Sequence, residues 1–242
     1  MKRAMGLSTA PLGERPASEA VLAWLDAWRP DVVVVGHGAD RPTRLGEGLR
    51  ARGSRLLGWA VPGTSEAPDE GRLEAAADEA SRARASWVAV RGGRRPREGE
   101  DSAPAVDRLA RRLYGPLRRG VPLAVLTGGA GDLLGADELG WLLDDLPALG
   151  VVFDVAAAVE RARDVGGPEA PDALASVLTR VAWLRVAGRT SSGREGAHPE
   201  EGGLPWGTFS DRAPRGLPWV LDLAPGTPSD EVDDAWRWLG SF

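Results

Sequence analysis

A single closed (β/α)8 barrel, the TIM-barrel form of the α/β class, is the fold this sequence predicts. Three observations carry the expectation. Eight short β-branched apolar runs recur along the chain, longer helical patterns lie between them, and the 242 residues come close to the roughly 250 typical of such barrels. In chain order the strand segments are AMGLST (4–9), DVVVVG (31–36), RLLGWAV (55–61), SWVAVRG (86–92), PLAVLTG (122–128), VVFDVA (151–156), AWLRVAG (182–188) and WVLDLA (219–224). A continuous run such as VVVV needs burial on both faces, as a parallel strand inside a shell of helices has.

The intervening stretches SEAVLAWLDAW (18–28), DEGRLEAAADEASRARA (69–85), AVDRLARRLYGPLRRG (105–120) and ADELGWLLDDLPALG (136–150) repeat apolar residues at three and four. Asp or Ser near the start of several and Gly at the end read as caps. The open doubly wound sheet is the competing architecture, but GLSTAPLG after the first strand is not the G-x-G-x-x-G that opens a dinucleotide site. The longest polar stretch, RTSSGREGAHPEEGG (189–203), follows the seventh strand and reads as a loop over the barrel mouth, so residues 1–242 are expected to form one domain.

Composition removes whole classes of chemistry. There is no Cys, which excludes disulfides, thiolate metal sites and cysteine nucleophiles. Lys2 is the sole lysine, beside the N-terminus, which argues against Schiff-base or phosphate-loop chemistry; His37 and His198 are too few for a three-histidine zinc site. Asn, Gln and Ile are absent and basic charge is almost wholly Arg, a coding bias that suggests a GC-rich bacterial source. A net charge of −5 gives no electrostatic case for nucleic acid. Neither a membrane-spanning apolar run nor a signal-peptide core is present, so a cytoplasmic protein without membrane partners is expected.

The order of the motifs adds a resemblance. MGLST, LEAAADEASRARASWVAVRGG, VPLAVLTGG, LGVVFDVAAA, VAWLRVAGR, LPWG and PWVLDLAP resemble, in order and approximate spacing, the xylose-isomerase-like TIM barrels. That family contains sugar-phosphate isomerases and epimerases and the apurinic (AP) endonuclease type 2 proteins. The resemblance implies a divalent metal held at the ends of strands five to eight by Glu, Asp, His and Glu, with the two glutamates shuttling a proton between sugar carbons. Here Leu126 or Thr127 stands at the strand-five position, Asp154 keeps strand six, Arg185 replaces the strand-seven His, and Asp222 is one methylene shorter than the expected Glu. The D-x-G-H turn that usually follows strand six has become Asp154, Val155, Ala156, Ala157.

A guanidinium stays protonated and offers a metal no lone pair, so no metal and no other cofactor is expected. The expectation is a degenerate member of the family in which Arg185 supplies the missing positive charge between Asp154 and Asp222. It would act as a binding, regulatory or assembly component. The alternative is a metal-independent isomerase, epimerase or lyase for a small anionic sugar or hydroxy acid, with Asp154 or Asp222 as general base. The same three residues also suit a structural ion-pair network that plugs the barrel.

Further candidates sit around the mouth. Arg91, with Arg94 and Arg95 nearby, suits an anionic metabolite or a solvated loop; His37 between two glycines suits an acid or base or an ordinary loop residue. Of the ten Trp, Trp24, Trp28, Trp141, Trp236 and Trp238 fall on helical patterns, whereas Trp59, Trp87, Trp183, Trp206 and Trp219 lie on strands or mouth loops. Trp206 is the candidate for stacking on a substrate, against core packing for the set as a whole. His198, in the acidic loop, reads as solvated. The C-terminal DDAWRWLGSF either closes the barrel onto its first strand or presents a protein-contact patch.

Overall fold

The computed structural model describes residues 3–12, 16–36, 39–61, 68–97, 100–129, 131–164, 169–190 and 195–242. His37 lies outside them. Eight strands close into a parallel ring: β1 (Met5–Ser8), β2 (Val32–Gly36), β3 (Arg55–Ala60), β4 (Trp87–Arg91), β5 (Leu123–Leu126), β6 (Gly150–Asp154), β7 (Val181–Val186) and β10 (Trp219–Leu221). Each expected strand is present, and β1 pairs with β10, which brings the chain ends together. Around the ring lie α1 (Ser18–Leu25), α2 (Pro42–Ala51), α3 (Glu70–Ala83), α4 (Ala103–Arg118), α5 (Ala136–Asp145), α6 (Val155–Asp164), α7 (Ala170–Val177), α8 (Trp206–Arg212) and α9 (Ser229–Leu239). No helix among the described residues is long and apolar enough to cross a membrane.

Two departures from the expected segments have local causes. The sixth strand ends at Asp154, two residues early, because the Asp154 carboxylate accepts the Ala157 N–H at 3.0 Å and starts α6 without an intervening turn. The polar stretch after β7 is not loop throughout. It contains a small antiparallel pair, β8 (Gly188–Arg189) with β9 (Glu195–Ala197).

The period of two along each strand divides the apolar residues into two cores. Val33, Val35, Val88, Val90, Val125, Val151, Phe153, Leu184 and Val186 face the helices. Val32, Val34, Leu57, Ala89, Ala124, Val152, Trp183 and Val220 face the lumen. Large and small residues complement one another there: a Cβ on Gly58 would come within 2.8 Å of the Trp183 ring, and one on Gly150 within 2.8 Å of the Trp87 ring. The two indoles therefore fill the lower lumen and leave polar side chains the C-terminal strand ends.

The other strand tryptophans face outward. Trp59 donates its indole N–H to Glu79 at 3.0 Å, and Trp219 lies 4.3 Å beneath the Arg3 guanidinium. The C-terminal segment packs onto this side of the barrel: Phe242 lies 5.8 Å from Trp219 and 4.9 Å from Trp238, with Phe242 remaining exposed.

The helical layer is as tightly fitted as the lumen. A Cβ on Gly46, within α2, would sit 2.1 Å from the Ala83 carbonyl oxygen at the end of α3. Gly46→Ala gains up to about 1 kcal/mol of helix propensity but forces backbone against backbone. The expected net result is a loss of about 1–3 kcal/mol in urea unfolding.

Candidate functional site

At the C-terminal ends of the strands the lumen face continues into side chains of another kind. Alternation from Ala89, Ala124, Val152, Trp183 and Val220 places Arg91, Leu126, Asp154, Arg185 and Asp222 at the mouth. Asp154 and Arg185 are register partners on neighbouring strands, so their side chains leave the same pleat side by side. Arg185 is likewise level with Val220, two residues before Asp222.

The three charges form one chain of hydrogen bonds. Arg185 donates Nη1–H to Asp154 Oδ2 and Nε–H to Asp222 Oδ2, the latter at 2.5 Å. The side chains of Arg185, Asp154 and Asp222 are 11%, 5% and 21% exposed, so water screens Asp154 least and Asp222 most. Asp154 has further duties. Its Oδ1 caps α6 through the Ala157 N–H, and its own backbone N–H donates to Thr127 Oγ1 at 2.8 Å. Thr127 thus buttresses the strand-five end, and the lumen-facing residue at the glutamate position is Leu126.

This donor set does not fit a divalent cation. Hard cations take six or more oxygens, whereas Leu126 offers none, Asp154 spends one oxygen on a helix terminus, and a guanidinium lies against Asp154 Oδ2 and Asp222 Oδ2. Among the described residues, no three His, Cys, Asp or Glu side chains are grouped to hold a metal.

The remaining candidates fall elsewhere or at the rim. Arg91 is half-buried at the end of β4, in register with Leu126. Trp206 is not at the mouth: it begins α8, is buried in the outer core 6.1 Å from Trp219, and donates its indole N–H to the Pro199 carbonyl at 2.7 Å. Both its ring and its polar atom are therefore engaged in packing the helical layer. His198 is half-buried rather than solvated, edge-on to Trp238 with its Nε2 3.6 Å from Asp234.

Sequence reasoning missed two ion pairs beside the mouth. Glu160 of α6 pairs with Arg189 after β7, and Arg161 of α6 pairs with Glu138 of α5 at 3.1 Å. The signal was present in VERARD, but only once Asp154 is seen to open a helix do Glu160 and Arg161 fall nearly two turns beyond the strand end.

No protein-family model matches the chain, and no curated protein matches its sequence. Solved structures do match its fold. A xylose isomerase domain protein from Planctomyces limnophilus is 18% identical, with 99% of this chain covering 96% of that one at a TM-score of 0.66. The probable 3-DHS dehydratase AsbF of Bacillus anthracis is 11% identical, with coverage of 99% and 98% and a TM-score of 0.75. The 3-keto-D-glucoside 4-epimerase YcjR of E. coli is 10% identical over 100% of both chains at 0.71. From the first strand to the last helix, the fold of this chain is that of the xylose isomerase-like TIM barrels.

Proposed function

We propose that this barrel does not carry metal-dependent isomerase or epimerase chemistry and works as a binding, regulatory or assembly component. The observation that supports this reading most is the Arg185 guanidinium hydrogen-bonded to both Asp154 and Asp222 where the resemblance implies a cation. An arginine in that position offsets one of the two carboxylate charges and hydrogen-bonds both groups while offering no Lewis-acid orbital, and Leu126 removes one of the two proton-transfer acids. Calorimetric titration with manganese, magnesium and zinc tests the reading. The expected outcome is no stoichiometric binding. A one-to-one manganese complex that disappears in Asp154→Ala would remove its support.

A second reading draws on the 21% exposure of the Asp222 side chain. It is the more accessible acid at the mouth, with Arg91 on the same rim, and would serve as general base toward a small anionic sugar or hydroxy acid. The epimerase and dehydratase among the fold neighbours lend this reading chemical context. Thermal-shift screening with sugar phosphates and keto acids separates the two. Stabilisation by such an anion that is lost in Arg91→Ala favours the second reading, and none across the set favours the first.

A further inference from the structure

Beside the strand ring, at the end where the mouth lies, a cavity of about 250 Å³ opens between the start of α5 and the α6–α7 pair. At roughly 30 Å³ per water, its volume is that of about eight water molecules, room for a ring bearing a small substituent. Leu134, Leu139, Phe153, Ala158, Ala173 and Val177 make its walls apolar. Phe153 faces it because its neighbour Asp154 faces the lumen, so the cavity and the mouth lie on opposite faces of β6.

One end of the cavity is charged. Arg161 Nη1 donates to the Gly129 carbonyl at 3.2 Å and the Asp132 carbonyl at 3.0 Å, and Nη2 donates to Glu138 at 3.1 Å. Gly135 makes room for this arrangement, since a Cβ there would come within 2.1 Å of the guanidinium carbon. Glu138 also accepts from the Ser102 hydroxyl at 3.1 Å and the Gly135 N–H at 3.2 Å. The acid thus accepts three hydrogen bonds, whereas the guanidinium has five N–H groups of which these bonds use three, leaving its Nε–H and one Nη2–H.

Arg95 stands exposed at the rim. Burial above all, and the charge of Arg95 with it, hold the Arg161 guanidinium below its ordinary pKa against the opposing pull of Glu138, Asp132 and Asp137. An entering anion offsets both effects by pairing with the buried charge. Of the two acids in the lining, Glu138 is held by Arg161 and Asp137 stands exposed at the rim, so a guest that reaches the buried end meets N–H donors first, and an apolar guest leaves them without acceptors.

We propose that this cavity is a binding site for a small organic anion, a carboxylate on a compact aromatic or alicyclic body. The carboxylate sits on Arg161 and Arg95, with the body against Phe153, Leu139 and Val177. The site is separate from the mouth and does not depend on how the mouth functions. Thr127 lines the cavity while accepting the Asp154 N–H, so one side chain stands between the two sites without belonging to the mouth.

Fluorine NMR of the full chain with 4-fluorobenzoate tests the proposal, with 4-fluorobenzyl alcohol and 4-fluorobenzylamine as comparators. The expected result is saturable binding of the carboxylate, weaker by at least about tenfold, or about 1.4 kcal/mol, for the alcohol and amine. Ala173→Phe, which fills the cavity and leaves Arg161 intact, abolishes binding, and Arg161→Met weakens it by a similar factor. In the unmodified protein, saturation transfer reaches the ligand from the methyls of Leu139 and Val177. No saturable binding, equal binding of the amine, or transfer from Leu126 at the mouth instead would overturn the proposal.

Discussion

Arg185→Leu is expected to destabilise the barrel by about 3–5 kcal/mol, because removing one partner of a buried pair strands the other charge. The stranded groups are Asp154, whose side chain is 5% exposed, and Asp222, whose 21% exposure lets water recover part of the loss. Asp154 carries the larger share. It cannot swing away to find solvent, since its other oxygen caps α6 and its amide is held by Thr127. Urea unfolding monitored by the tryptophans measures the effect. Arg185→His should lose less, because an imidazole can still hydrogen-bond one carboxylate, and it replaces a group without a lone pair by a metal ligand. A loss below about 1 kcal/mol for Arg185→Leu, the scale of exposed ion pairs, would mean that the triad is solvated in solution.

Trp183→Ala is expected to cost about 3–5 kcal/mol, the range for removing a large aromatic from a core that only partly collapses. Trp183 fills the lumen, and the strand across from it carries Gly58, which has no side chain to move into the space. The pairing predicts its own compensation. Gly58→Ala alone drives a methyl into the indole and should lose about 1–3 kcal/mol, whereas in a Trp183→Phe background the same methyl meets a shorter ring and the penalty should shrink. Additive losses in the double variant would show that the two residues do not share the lumen.

The eight strands were legible because each is short, apolar and bounded by residues that cannot continue it, and because burial on both faces leaves runs such as VVVV with no competing period. The mouth was legible for a related reason. In AWLRVAG and WVLDLA a single charged residue interrupts an apolar strand, and the resemblance puts both at ligand positions of the family. Trp206 was misplaced because LPWG carries no period, and a tryptophan after a polar loop has the same local sequence whether it faces a ligand or begins a helix.

The Arg161–Glu138 pair and its cavity were hidden by a different feature. Strand β6 passes into α6 with no turn residue between them, so VVFDVA reads as one uninterrupted strand, and the helical register of Glu160 and Arg161 cannot be counted until Asp154 is identified as a cap. Nothing local in GADELGWLL announces that Glu138 turns back to its own helix terminus and to an arginine 23 positions on. Such pairs are created by the packing of one βα unit on the next, and they become visible only when the ring has closed.

An arginine occupies the position between Asp154 and Asp222 at which the resemblance implies a metal. Crystals grown in manganese, with diffraction recorded at the manganese absorption edge, test it most directly. The expected result is no anomalous peak at the mouth, with the Arg185 guanidinium bridging the two carboxylates. An anomalous peak bound by Asp154 and Asp222, with Arg185 turned away from both, would contradict it.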